Sequence, residues 1–538
     1  MSEQQRLFLA VSLSMAIWLG WQAWMGPPIE PPPPPVSPVV SATGSPDAGA
    51  GPADPLALAQ SDRVPGPQSQ RSFRTDFLRG SVGDGDAGLQ QLDLLAYQEG
   101  KEAVVSLVDP SADVLPSRAQ ARVAWRLPAG AYVPMHFVGD DETLELAGTS
   151  PDGLQLSVRL LPQAHTYAID YELLVDNPTS SSRAFGVDLI LSLPGPAPAG
   201  GISFMSPPGA DALSAVVQQG RSLERRDLAA VAAGPWLAPV GPTWLALDRQ
   251  YFVTAIVPRE TASGHARVAS QPAAETSPAA LSVAWRSDSI DLPAGGHWQQ
   301  RLTVYAGPKR DADLQAVAPA LLQVVDYDLL RVPLGALARP MMAMLNFFHS
   351  RTGSWGVAII LLTLVVKLVL VPLNYRSAMS MRKMQLLRPE LESLKSRFDG
   401  DKERQNLEQM KLFKERGVNP LGGCLPMLLQ LPVGIALYRA LWSAVDLYRQ
   451  PFLWLPDLTA KEPLPLMALS LGLLTLLQQR LTPMPADNPQ AKTMLYIMPV
   501  VMTFFMIALP SGLVLYILVN SVLTIIQQLA INRRAVAL

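Results

Sequence analysis

Cysteine is almost missing from this chain. Its 538 residues hold one, Cys424, so no internal disulfide can form even where a large part of the chain lies in an oxidising compartment. Charged residues are sparse at 16%, and a net charge of −2 removes the electrostatic case for nucleic acid as a main partner. His136, His165, His265 and His297 show neither metal-ligand spacing nor a catalytic grouping, and no ATP-binding motif is present. No cofactor and no enzymatic activity are therefore expected. The sharpest absence is local: none of the long apolar runs contains an Asp or a Glu.

What the chain does contain is sequence of membrane-crossing length. Ser354–Leu373 reads SWGVAIILLTLVVKLVLVPL, with Lys367 inside it. A charge at that depth costs about 2.5–3.5 kcal/mol on insertion scales, which makes an intramembrane lysine a functional candidate by default. Lys367 lies about 13 Å along the helix from Arg376, further than one lysine stem can snorkel. Either water enters the helix bundle from the cytoplasm or the amine sheds its charge. Further spans are expected at Leu7–Met25, Cys424–Trp442, Leu464–Leu481, Met494–Leu509 and Leu513–Ile531, giving six. Residues 376–416 carry eleven Lys/Arg against seven Asp/Glu, and Arg533 and Arg534 follow the last span. The positive-inside rule places both segments, and the N-terminus, in the cytoplasm.

The order of segments follows. Residues 1–26 read as an uncleaved membrane anchor and 27–70 as a Pro-rich disordered linker. Residues 71–325 read as an antiparallel β-sandwich on the periplasmic side. Within them LQQLDLLAY (89–97), LQLSVRLL (154–161), YAIDYELLVDN (167–177), WLALDRQYFVTAIV (244–257) and WQQRLTVYAG (298–307) alternate between turn residues. Residues 326–352, broken by Pro333 and Pro340, read as an interfacial amphipathic helix, with a buried connector as the alternative. Residues 353–534 form a five-span core that includes a cytoplasmic helical hairpin at 376–417, and 535–538 are a short tail. The fold class is thus a polytopic α-helical membrane protein with six transmembrane helices and a large periplasmic antiparallel β-sandwich.

Polar residues in the spans fall on consistent faces. Thr363, Lys367 and Asn374 share one helix face, and Tyr516, Asn520, Thr524 and Gln527 or Gln528 repeat in near-fours on the last span, with Gln430 mid-span elsewhere. Converging, they would line a wet cavity open to the cytoplasm with one positive charge. Interhelical hydrogen bonding accounts for Thr524 or Gln430 singly, but poorly for an unpaired Lys367. Met494, Met498, Met502 and Met506 form an i+4 stripe, either packing or a surface that adapts to apolar partners. Met494–Leu509 spans about 24 Å, short enough to favour bilayer thinning. In the hairpin, Met381, Met384, Leu391, Leu394 and Phe398 keep helical spacing, Asp399-Gly400-Asp401 supplies a turn and N-cap, and Gly417 ends the return helix.

The segments LLTLVVKLVLVPLNYRSAMSMRKMQLLRPEL, GVNPLGGCLPMLLQLPVGIALY and LPSGLVLYILVNSVLTIIQQ closely resemble the YidC/Oxa/Alb membrane protein insertases. The anchor, linker and β-domain resemble the Gram-negative form. The resemblance implies a five-helix core around a hydrophilic groove, open to cytoplasm and lipid and closed outward. It implies insertion of newly made proteins into the inner membrane without ATP hydrolysis, alone or with the Sec translocon. Lys367 takes the place of the groove's basic residue, with Thr363, Gln430, Tyr516, Asn520 and Thr524 among its lining. Met498, Met502 and Met506 become apolar substrate contacts. Arg382, Lys383, Met384 and Leu391 mark the hairpin that meets nascent chains and, weakly, the ribosome. Two departures stand out: the basic residue is arginine in better-known members, and their Tyr-Tyr pair is Tyr516-Ile517 here. The β-domain's likeness to sugar-binding supersandwich folds leaves a membrane-tethered periplasmic carbohydrate-binding protein or enzyme as the alternative.

Overall fold

Strict alternation of apolar and polar side chains builds the first half of the molecule. Gln155–Pro162 buries Leu156, Val158 and Leu160 while Gln155 and Leu161 face solvent, the period-two pattern of a half-buried strand. It belongs to a nine-stranded antiparallel sheet in which Ala168–Asp176 and His297–Pro308 lie side by side near the centre. A ten-stranded antiparallel sheet is centred on Arg183–Pro194, which pairs with Ala121–Arg126 and Ala280–Ser287. One core holds both sheets together, with Trp244, Tyr171 and Tyr305 from the first and Trp285 and Leu189 from the second fully buried. The 244–257 segment folds as two strands, Trp244–Asp248 and Phe252–Pro258, paired as a hairpin. The computed structural model describes residues 69–536 apart from 86, 100–102, 109–120, 128–131, 196–212, 233, 239–240, 260–263, 272–278, 326–334, 399–400, 418–424 and 482–488. The expected first span, Leu7–Met25, lies outside the described residues.

One carboxylate is buried outright in the ten-stranded sheet. Asp188 takes Arg126 Nε at 2.9 Å on one oxygen and Arg286 Nη2 at 2.9 Å on the other. The strand register places Arg286 directly across from Asp188. Burial pushes the Asp188 carboxyl up, and the two guanidinium groups oppose that push.

After a short helix α1 (Asp311–Val317) the second half is helical among the described residues. It comprises α2 (Gly335–Thr352), α3 (Trp355–Leu386), α4 (Arg388–Arg397), α5 (Lys402–Glu415), α6 (Leu425–Ser443), α7 (Leu466–Leu481), α8 (Pro489–Ile507) and α9 (Ser511–Val536). Two apolar stretches, Trp355–Ser377 in α3 and Ser511–Ala530 in α9, are long enough to cross a membrane. At 1.5 Å per residue they reach about 35 and 30 Å, against a hydrocarbon core of about 30 Å. The other three expected core spans fall on the apolar helices α6, α7 and α8.

Several boundaries differ from expectation, each for a physical reason. Helix α3 does not stop where charge begins at Arg376 but runs 32 residues to Leu386, through Pro372. Pro389 ends it, because proline cannot donate to the carbonyl four residues back and is tolerated in the first turn of α4. The hairpin proper is therefore α4–α5. Helix α8 starts at Pro489, a favoured first-turn proline, and is 19 residues long; its added first residues, PQAKT, are polar, so the apolar run still begins at Met494. Helix α7 packs against both α8 and α9, with Ala468, Leu471 and Met506 in one cluster backed by Ile517 and Leu518. Helix α2 continues through Pro340 and buries Ala338, Met341 and Leu345, packing on α3 and α6, while Leu337 and Phe347 are exposed.

The 444–465 segment closes one end of the bundle and ties it to the β half. Gln250 Nε2 donates to the Trp442 carbonyl at 3.0 Å, and the Tyr448 ring meets Tyr251 and Phe252 at 5.3 and 5.9 Å. Arg310 approaches Asp446 at 4.0 Å. Phe452 lies so close to Gly356, in the first turn of α3, that any Cβ there would collide with its ring.

Asp188→Ala leaves two largely buried guanidinium groups without their shared counter-ion. It is expected to lower stability by about 3–5 kcal/mol. Chemical unfolding of the purified full-length protein, followed by tryptophan fluorescence, reads this; an unshifted transition would show that the triad carries no net stability.

Candidate functional site

Helices α3 and α9 are built from Leu, Val and Ile with few breakers, and they pack side by side in parallel. That packing brings two polar positions together across the seam. Lys367, only 9% exposed, donates from Nζ to Thr524 Oγ1 at 2.8 Å. Thr524 in turn donates its one hydroxyl proton to the Asn520 carbonyl at 2.6 Å. The lone pairs of Oγ1 are thereby left for the amine. Among the described residues no carboxylate pairs with Lys367. Two helical turns further along, Asn374 Nδ2 approaches Gln527 Oε1 at 3.5 Å, extending the polar seam toward the basic 376–416 segment.

The other expected groove residues divide. Thr363 is buried but donates to its own helix, at Ile359 O, 2.7 Å away. Tyr516 is buried in the core that α9 shares with its neighbours. Gln430, Met498, Arg382 and Met384 lie on helical backbone, with their side chains outside the described residues. Met502 is exposed, whereas Met506 is buried against α7; the i+4 stripe is therefore not one continuous open surface, and Met506 serves packing. In the hairpin, Leu391 packs on Leu387 and Phe413, and Lys383 is exposed. Asp401 caps α5 by accepting from Arg404 N at 3.1 Å, and Arg416 reaches back to Glu390 at 2.8 Å, closing α5 onto α4.

Three of the β-half histidines sit in separate surface pairs, at His165–Asp76, His265–Asp288 and His297–Asp176, and His136 is exposed on its own strand. No group of three or more His, Cys, Asp or Glu among the described residues is arranged to hold a metal ion. Sequence reasoning missed the outer segment around Phe452 and Trp454. Its available signal was FLWL, an apolar run flanked by Pro451 and Pro456 outside every span.

Two family models account for nearly all of the described chain. Residues 70–344 match the YidC periplasmic domain, and residues 347–537 match the 60Kd inner membrane protein family. A membrane protein insertase YidC from Nitrosococcus oceani is 33% identical over 568 aligned positions, covering 99% of each chain. A membrane protein insertase YidC from Anaeromyxobacter dehalogenans is 39% identical over 74% of this chain and 71% of its own. A crystal structure of an active YidC insertase, with its first transmembrane domain resolved, aligns with 85% of this chain and 91% of its own at 16% identity and a TM-score of 0.36.

Thr524→Val keeps the shape of the seam but strips the acceptor from Lys367. A loss of about 0.6–1.7 kcal/mol is expected in the wild-type background and none in Lys367→Met. Thermal unfolding of the four proteins in one detergent closes the cycle; equal losses in both backgrounds would show that the two residues are uncoupled.

Proposed function

The chain belongs to the YidC family of membrane protein insertases, and we propose that it receives the polar flanks of newly made membrane proteins at the α3–α9 seam around Lys367. One observation carries this reading: inside a helix long and apolar enough to cross a membrane, the amine is held by a neutral hydroxyl and by no described carboxylate. A hydroxyl partner is weak enough to be exchanged. An acidic group arriving within about 4 Å gains on the order of 4 kcal/mol at an effective dielectric near 20. That is comparable to the cost of carrying a charge to the bilayer centre, about 2.5–3.5 kcal/mol. Lys367 thus offsets the step that a polar segment cannot make alone, and partition of the following apolar span into lipid completes the transfer. No nucleotide is consumed in this scheme.

In the architecture that goes with it, Lys367, Thr363, Gln430, Tyr516, Asn520 and Thr524 line a groove open toward the cytoplasm, and Met498 and Met502 offer apolar contacts. The chain crosses the inner membrane six times, with its N-terminus cytoplasmic and its β-sandwich periplasmic. Helix α5 exposes Leu407 and Met410, and Leu386 is exposed at the end of α3, which suits reception of a nascent chain from the ribosome. The insertase works alone or with the Sec translocon.

The test is insertion of single-span substrates in cells depleted of their own insertase. Lys367→Arg is expected to support insertion, while Lys367→Ala slows substrates with acidic translocated loops at least about tenfold, the effect of about 1.4 kcal/mol. Neutral-loop substrates insert normally with either. Normal insertion of every substrate by both Lys367→Ala and Lys367→Glu would refute the charge-attraction step.

A further inference from the structure

The segment between α6 and α7 carries features that the insertion scheme leaves unused. Leu458 N donates to Gln450 O at 3.0 Å, and Phe452 and Leu455 exchange both backbone hydrogen bonds at 2.9 Å. The result is a tight hairpin with Leu453 and Trp454 as its two-residue tip. Leu453 has φ +53°, and Trp454 is not among the positive-φ residues. That combination belongs to a type II′ turn, whose first central position favours glycine. A leucine held there is under backbone strain. Yet its side chain is 75% exposed, beside a tryptophan that is 50% exposed. Stability alone would place glycine at 453.

The hairpin is braced rather than loose. Asp457 Oδ1 accepts from Arg449 N, Thr459 N and Thr459 Oγ1 at 3.1, 2.7 and 2.7 Å. Its base is fixed at the outer end of α3 by Phe452 against Gly356. Its tip is fixed to α7, because Trp454 Nε1 donates to Glu462 Oε1 at 2.8 Å and the same carboxylate caps Met467 N at 3.0 Å. On α7, Leu466, Leu469, Leu473 and Leu477 are exposed at helical spacing, a stripe suited to lipid. Through the Trp454–Glu462 link the apolar stripe continues onto the tip. Exposed Arg449 and Lys461 stand at the hairpin's base. An apolar tip above a cationic collar is the arrangement of an interfacial anchor.

We propose that the Leu453–Trp454 hairpin is a monotopic anchor. Its tip enters the phospholipid leaflet on the β-domain side, and Arg449 and Lys461 meet the headgroup phosphates. This rests on α3 being a membrane span, and the test separates the two ideas.

A Cys424→Ser protein carrying Leu453→Cys is labelled with an environment-sensitive dye and reconstituted, full length, in vesicles of phosphatidylethanolamine and phosphatidylglycerol. Two reference proteins are labelled in the same way: Val369→Cys, 70% exposed on α3, and Asp141→Cys, fully exposed on the β half. The 453 label is expected to be quenched by lipid nitroxides near the headgroups, with aqueous iodide several-fold less effective than at 141. A 453 label that behaves like 141, with 369 still quenched by lipid, would overturn the anchor and leave the span intact. Absence of lipid quenching at 369 would overturn the span itself.

Discussion

An amine buried in a helix long and apolar enough to cross a membrane sets the terms for the helical half. Lys367 meets those terms with Thr524, and Thr524 can accept because its own proton is committed to the Asn520 carbonyl. The arrangement works only if α9 lies beside α3 in parallel, which leaves α7 to pack against both α8 and α9. The 444–465 segment caps one end of these helices. The outer segment does this by satisfying backbone groups that lipid could not. Ser511 N and Gly512 N, orphan donors at the start of α9, donate to Ala460 O and Leu458 O at 2.8 Å each. Phe452 seals the start of α3 in the same way that a side chain fills a core.

The β half answers a different problem. Its sheets share an apolar core, and a fully buried carboxylate of the ten-stranded sheet, Asp188, is neutralised from both sides by arginines of neighbouring strands. Where this half meets the helices the contacts turn aromatic and polar: Tyr448 with Tyr251 and Phe252, Gln250 with Trp442, Arg310 with Asp446. Burial pushes the Asp446 carboxyl up while Arg310 opposes it. The outer segment therefore has two clients, the bundle below and the sandwich above.

Features set by short-range rules were legible in the sequence. The strands were, because period two is local. So were the Asp401 cap and the Gly417 stop, which show a cap hydrogen bond and φ +61°. Lys367 and Thr524 could be named from spacing alone, since a helix face is a matter of residue number. Features set by distant partners were not legible. Charge marks where water begins, but α3 ignores that boundary and stops only near Pro389. The positive φ at Leu453 has no signature in sequence, because a rule-abiding chain would have glycine there.

Continuity of α3 has a mechanical consequence. The helix is a rod of 32 residues, about 48 Å, joined at one end to the α4–α5 hairpin. Pro372 lacks the N–H that would bond the Leu368 carbonyl, so bending stiffness is lowest there. Five residues separate this fulcrum from Lys367 and fourteen separate it from Leu386. The arms are therefore about 7.5 and 21 Å long. A push on the hairpin end is taken up as bending at this compliant point, while the short arm that carries the amine stays packed on α9. Pro372 thus insulates the bond that holds the charge from load on the hairpin.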